Sequence, residues 1–374
     1  MQFVRIQNLK IGMRLARPIY NKSGVLLFER NSLLTQQAIE SVRNFGLLGI
    51  YILEPAEPLP PMTEEDLEFE RFQIKSVSSI QEELTKILET KHQHRMQLIN
   101  SAIIKKFGHL ENKINFYQNL RSQEDYVYRH SLNVAILCAM ITHVMNVRLD
   151  EQANTVSAAI IHDIGKLEFD SDSVYGEGAS EREMFSLYSM QMHYSDLIEG
   201  AFAGTGSAIR RICMQALKAQ MEILKDGGSG IANMKMVTGA KILLVANKYD
   251  EMTAMNLCGD AQSEVKAIQE FLDNPHIYDP AVVSALIRSV NILFPGVSVE
   301  LNTGEKALVL VENPVNILRP VVLSFRDNSV LDLQLKNNED IHIVDIMKTM
   351  DNRYIMDINT LQQLGYAQAD REVT

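Results

Sequence analysis

This sequence predicts a mainly helical protein with a small β-rich unit ahead of the helices and a short antiparallel β segment behind them. Apolar residues recur at helical spacing through most of residues 63–295. Strand-like runs punctuated by turn residues fill residues 1–54 and return after residue 296. Between the first unit and the helices, Pro55, Pro58, Pro60 and Pro61 read as a stiff linker over residues 55–62. At 374 residues the chain is long enough for two or three domains.

The elements follow in order. Residues 12–20 and 25–28 flank the turn Asn21-Lys22-Ser23-Gly24 and predict a hairpin; residues 35–45 alternate as an amphipathic helix, and residues 48–53 as a strand. Thr63 is placed to cap a helix opening with Glu64, Glu65 and Asp66, and helical patterning then runs to about Gln118. It resumes over residues 125–165, 181–225, 234–256, 261–273 and 280–293, which predicts a helical bundle. After residue 296 the period changes to strand-like runs at 297–301, 307–311, 321–325 and 330–335, with turns at 302–305 and 326–329 and a tail to residue 374.

Composition narrows the function classes. A net charge of −11 argues against a nucleic-acid polymer as partner, because phosphate neutralisation needs clustered Lys and Arg. It leaves room for a small phosphate ligand held locally. Cys138, Cys213 and Cys258 lack CxxC spacing and read as reduced core residues. No apolar run reaches about 18 residues and the start of the chain lacks a signal-like apolar region, so the expectation is a cytoplasmic protein with no membrane span.

The most informative stretch is Ile160-Ile161-His162-Asp163-Ile164-Gly165-Lys166, with Tyr128-Arg129-His130-Ser131 upstream. A histidine on one helix and a His-Asp doublet on another can converge on a divalent metal. Asp163 offers a hard anionic oxygen, and His130 and His162 borderline nitrogens, a mixture suited to Fe, Mn, Ni or Zn rather than Ca. Lys166 lies four residues after His162, on the same helical face, where it could meet a phosphate oxygen. Gly165 permits close approach of chain or ligand. The competing reading of the doublet is a helix-end polar pair that caps backbone groups. Of the other histidines, His143 is expected in the core, His92 and His94 at the surface, and His109, His276 and His342 carry no motif.

Three blocks in order, residues 128–135, 162–166 and 239–250, resemble the HD-GYP family, as does Phe294-Pro295-Gly296 with the β segment through Glu305. The resemblance runs from roughly residue 120 to residue 345, and the first 54 residues are similar to a small domain often found ahead of it. It implies an HD-type helical bundle and a bacterial, metal-dependent phosphodiesterase that hydrolyses cyclic di-GMP. The family's metal set comprises a histidine before the doublet, the doublet, further histidines after it and a late aspartate. By that resemblance His130, His162 and Asp163 fill the first positions, with Asp163 and Lys166 as the catalytic residues and Fe or Mn as the metal.

The departures shape the expectation. The late aspartate falls on Asn247, which lacks a full charge. The paired histidines are replaced by Gln220-Met221-Glu222-Ile223, and the Gly-Tyr-Pro signature has shrunk to Gly227-Gly228-Ser229-Gly230. His193 resembles an intermediate ligand but sits a few residues late; an offset of two on a helix rotates a side chain by roughly 200°. The expectation is a degenerate HD-GYP-like signalling protein that acts by binding a cyclic dinucleotide or signalling proteins and carries well under one equivalent of metal. The alternative is a phosphodiesterase working with a reduced metal site.

Overall fold

The computed structural model describes residues 2–21, 24–53, 63–118, 120–168, 181–254 and 261–346. The linker expected at 55–62, the middle of the 21–24 turn, Cys258 and the tail from 347 lie outside the described residues. The protein is mainly helical with small antiparallel sheets toward both ends, as its patterning predicts.

In the N-terminal unit β1 (Gln2–Arg5), β2 (Arg14–Leu15) and β5 (Gly49–Leu53) form a sheet of order β1-β5-β2, and β3 (Ile19–Tyr20) pairs with β4 (Leu26–Phe28) as a hairpin. The helix Gln36–Asn44 is capped by Thr35, whose hydroxyl accepts from the Ala38 amide at 3.1 Å. It lays Ala38, Ile39 and Val42 onto Leu15, Ile19, Ile50 and Ile52, a core separate from that of the helices. Gly49 is required by close approach: a Cβ there would lie 2.3 Å from the carbonyl oxygen of Val4 on the paired strand.

The helix Glu64–Thr90 opens with a full capping box in which Thr63 and Asp66 exchange hydrogen bonds. The single helical stretch expected from residue 63 to residue 118 is interrupted where Lys91 takes a left-handed conformation (φ 64°), and a second helix follows at Met96–Phe107. The stretch expected over 125–165 is likewise two helices, Tyr126–Val144 and Leu149–Ile161, separated by a turn with Asn146 at φ 53°. Tyr126–Val144 is apolar on every face and buried along nearly its whole length, which makes it the central helix of the bundle. Around it pack the Leu149–Ile161, Thr238–Thr253, Pro280–Ser289 and Glu64–Thr90 helices.

β6 (Ser298–Leu301), β7 (Lys306–Val311), β8 (Val321–Ser324), β9 (Val330–Asp332) and β10 (Ile343–Ile346) form an antiparallel sheet of order β10-β6-β7-β8-β9. β10 has no counterpart among the sequence expectations. Val299, Leu301, Ala307, Val309 and Val322 share one continuous core with the helices, so the sheet completes the bundle, while Leu308, Leu310 and Leu323 form a small separate cluster. Cys138 and Cys213 are buried free thiols whose pKa burial pushes up. Among the described residues no helix is long and apolar enough to cross a membrane. His143, expected in the core, is half-buried instead: its helix is at its last turn there, and the ring packs edge-on to His109 and faces Glu111 at 3.6 Å.

Candidate metal centre

Three helices deliver the site. His130 comes from the second turn of the central helix, His162 closes the Leu149–Ile161 helix with Asp163 directly after it, and Asn247 sits midway along Thr238–Thr253. The doublet lies at a helix end because the chain tightens there into the 3-10 turn Ile164–Glu168.

Each imidazole is oriented from behind. His130 Nδ1 is 2.6 Å from Asp250 Oδ2, and His162 Nδ1 is 2.8 Å from the Ala159 carbonyl. Both partners only accept, so Nδ1 of each ring donates, and Nε2 is the nitrogen of each ring that turns to the centre and could offer a lone pair to a metal. Those two Nε2 atoms approach Asn247 Oδ1 at 2.9 and 3.0 Å and Asp163 Oδ2 at 3.5 and 3.6 Å. Asn247 is held with its oxygen toward them by Nδ2 donating to Glu251 Oε1 at 2.9 Å. Burial lowers the His162 pKa more than Asp163 restores it, which favours the neutral ring.

Lone pairs facing lone pairs at these separations suit a shared cation. Ligands about 2.0–2.2 Å from one ion stand roughly 3 Å apart. His130, His162 and Asp163 are a group that could hold a metal ion, and the Asn247 oxygen adds a neutral fourth donor. The set therefore fits a single divalent ion. Among the described residues it is the one such cluster of His, Cys, Asp and Glu, so nothing comparable is present for a second ion.

Asp163 already holds a cation from within the chain. Lys166 Nζ lies 2.5 Å from Oδ2, the oxygen that faces the histidines, and Gln191 Nε2 donates to Oδ1 at 3.3 Å. Burial alone would raise the Asp163 pKa, but His162, Lys166 and His130 together hold it well below the usual carboxylate range. Burial likewise opposes the charge on Lys166, and Asp163 overcomes it, so the pKa rises. Lys166, read from the sequence as a phosphate contact, is thus turned inward onto Asp163, with its side chain 8% exposed. Gly165 serves the chain: a Cβ there would meet the Tyr194 ring at 2.8 Å.

His193 does not join the centre. It is exposed in the 3-10 turn Met192–Tyr194 and borders an open surface pocket with Lys91, Glu168 and Tyr194. The side chain that reaches Asp163 from this part of the chain is Gln191, two residues earlier, in keeping with the rotation such an offset produces. The Gly227-Gly228 pair forms a helix cap: Gly227 is left-handed (φ 69°) and its amide bonds to the Ile223 carbonyl at 3.0 Å.

Behind His130 lies a network without a sequence signature. Arg121 is wholly buried and its Nη2 donates to both oxygens of Asp250 at 2.7 Å, while Asn133 donates to Oδ1 at 2.9 Å. Burial raises the Asp250 pKa, but Arg121 and the His130 hydrogen bond bring it down to about 2. Arg121 also lies over the Tyr126 ring at 5.1 Å. Asp250 and Glu251 were findable in principle, three and four residues after Asn247 on one helix face.

The HD domain family matches residues 127–250, a span that begins just before His130 and ends on Asp250. This stretch is an HD domain. The match supports a place for this stretch in the HD-type metal-dependent phosphohydrolase superfamily, whose domains are typically metal-dependent, in keeping with the cluster at His130, His162 and Asp163. No curated protein and no solved structure matches the chain.

Proposed function

We propose that this HD-domain protein is a degenerate relative of the HD-GYP cyclic di-GMP phosphodiesterases and acts in signalling by binding rather than by turnover. The observation that carries the reading is the state of Asp163. The one anionic donor of the His130, His162 and Asp163 group has its site-facing oxygen bonded to Lys166, and Asn247 adds only a neutral amide. An incoming ion must displace an ammonium and gains one carboxylate in return, so affinity is low.

When bound, a divalent ion at these residues would supply Lewis-acid charge and lower the pKa of a water molecule. His130 and His162 would hold it through Nε2, with Asp250 and the Ala159 carbonyl orienting the rings, and Asp163 would supply the negative charge. Gln191 stands beside Asp163 as an amide donor, without the metal-binding capacity of a histidine.

The test combines metal analysis of the isolated protein with incubation of cyclic di-GMP in added Mn or Fe, the linear product being followed by chromatography. The expected result is well under one equivalent of transition metal and hydrolysis at background. Asn247→Asp should raise metal affinity, because it adds a full negative charge, without bringing full turnover. Robust hydrolysis by the wild type that disappears in His130→Ala and Asp163→Ala would overturn the proposal in favour of a working phosphodiesterase.

A further inference from the structure

We infer that a second cavity, at the junction of the N-terminal unit, the helices and the C-terminal sheet, binds a small organic oxyanion, a carboxylate or phosphate on an apolar body, with Arg17 as its anchor. The cavity has a volume of about 290 Å³ and is bordered by Arg17 and Tyr51 from the N-terminal unit, Tyr117 and Gln118 from the connecting strap, Glu264 from a bundle helix, and Phe294 ahead of the sheet. Binding sites favour such junctions, and a mostly apolar lining with a few convergent polar groups is their usual composition.

Arg17 is the feature that points to an anion. It is 8% exposed, and its guanidinium lies over two aromatic rings, 4.8 Å from the Tyr51 centroid and 4.2 Å from that of Tyr117. Among the described residues its one hydrogen-bond acceptor is the Gln118 carbonyl, at 3.0 Å from Nη1. The nearest carboxylate, Glu70, stands 4.0 Å from the same nitrogen. Burial pushes the Glu70 carboxyl above its usual range despite Arg17, which makes it a weak counter-ion. A buried guanidinium is ordinarily paired through several of its donors, and among the described residues one carbonyl and one long contact are what it has.

The stacking also sets the direction of recognition. Rings over the guanidinium leave its edge for hydrogen bonding, the geometry with which arginine grips carboxylate and phosphate oxygens. Phe116, Ile292, Val297 and Ile346 supply apolar wall for the body of the ligand. The cavity is connected to the metal centre. Gln118 Oε1 accepts from Asn133, which donates to Asp250, which in turn accepts from His130 Nδ1.

The test is isothermal titration of the full chain with phenyl phosphate, benzoate and, as the uncharged control, phenol, at constant ionic strength. Saturable one-site binding of phenyl phosphate or benzoate but not of phenol is expected, and which of the two binds identifies the oxyanion. Arg17→Met should weaken that binding about tenfold or more, the scale of a lost charge-assisted hydrogen bond. Because Arg17→Met also removes contacts between the units, Val297→Phe provides a second variant that narrows the cavity without touching Arg17, and the same loss is expected with a cooperative melt retained. Absence of saturable binding by both anions, phenol binding as well as they do, or affinity unchanged in Val297→Phe would each overturn the inference and leave Arg17 as a structural link between the units.

Discussion

Two carboxylates are buried side by side in this bundle, each with one basic partner, and they are held in different ways. Asp250 receives a single Arg121 nitrogen, Nη2, on both of its oxygens, with His130 and Asn133 completing its shell. Asp163 receives the single ammonium of Lys166 and a longer contact from Gln191. Arginine is always charged and pre-organised for carboxylates, whereas a lysine is a point charge on a flexible stem. The difference separates a fixed support that aims His130 from a partner that another cation can replace. Charge alone does not tell the two apart, since both pairs are fully buried ion pairs.

The largest effect expected from this comparison is on stability. Arg121→Met leaves Asp250 buried without its cation and should lower the unfolding free energy by about 3–5 kcal/mol, read from urea denaturation. A loss below about 1 kcal/mol would show that His130 and Asn133 suffice to hold Asp250, and the contrast with Asp163 would dissolve.

Next is metal affinity. Lys166→Met removes the internal competitor, so Mn or Zn binding measured against a chelating indicator should tighten by about tenfold or more, roughly 1.4 kcal/mol. Unchanged or weaker binding would mean that Lys166 does not contend for Asp163 Oδ2. Arg121→Met should act oppositely on the same measurement by loosening the orientation of His130.

Acid unfolding sharpens the comparison. The folded pKa of Asp250 is depressed to about 2, against about 3.9 for an unperturbed aspartate. Its stabilising contribution is therefore complete above the unfolded value and is lost as pH falls through the folded one. Asp163 is depressed as well and acts in the same direction. Helical circular dichroism should hold to about pH 4 and then fall, and in Arg121→Met the fall should begin at higher pH. An identical acid midpoint in both proteins would exclude Arg121 as the cause of the Asp250 shift.

The smallest effect is expected at His193. As an exposed residue outside the centre, His193→Ala should change stability by less than about 0.5 kcal/mol and leave metal affinity as it was. A large drop in affinity would restore it as a ligand and displace Gln191 from the account.

What the amino-acid sequence determined by itself was the part written in local signals. Helical and strand periods placed most elements, Thr63 announced a helix start, and the His162-Asp163 doublet with His130 upstream pointed to the centre. These signals act within a turn or two of helix, so neighbouring residues suffice to read them. The tertiary structure alone decided what each polar side chain meets. Arg121 and Asp250 are 129 positions apart, and Asn247 reaches His162 across 85. Whether Gln191 or His193 faces Asp163 depends on the rotation of the chain there, and whether Lys166 faces outward or toward Asp163 depends on the short 3-10 turn that follows Asp163 and carries Lys166. β10 exists as a strand through pairing with the distant β6, Leu301 opposite Ile343 at 42 positions and Glu300 opposite Asp345 at 45. Burial then fixes the protonation of these groups, since the cost of a charge is set by every element packed around it rather than by its neighbours in the chain.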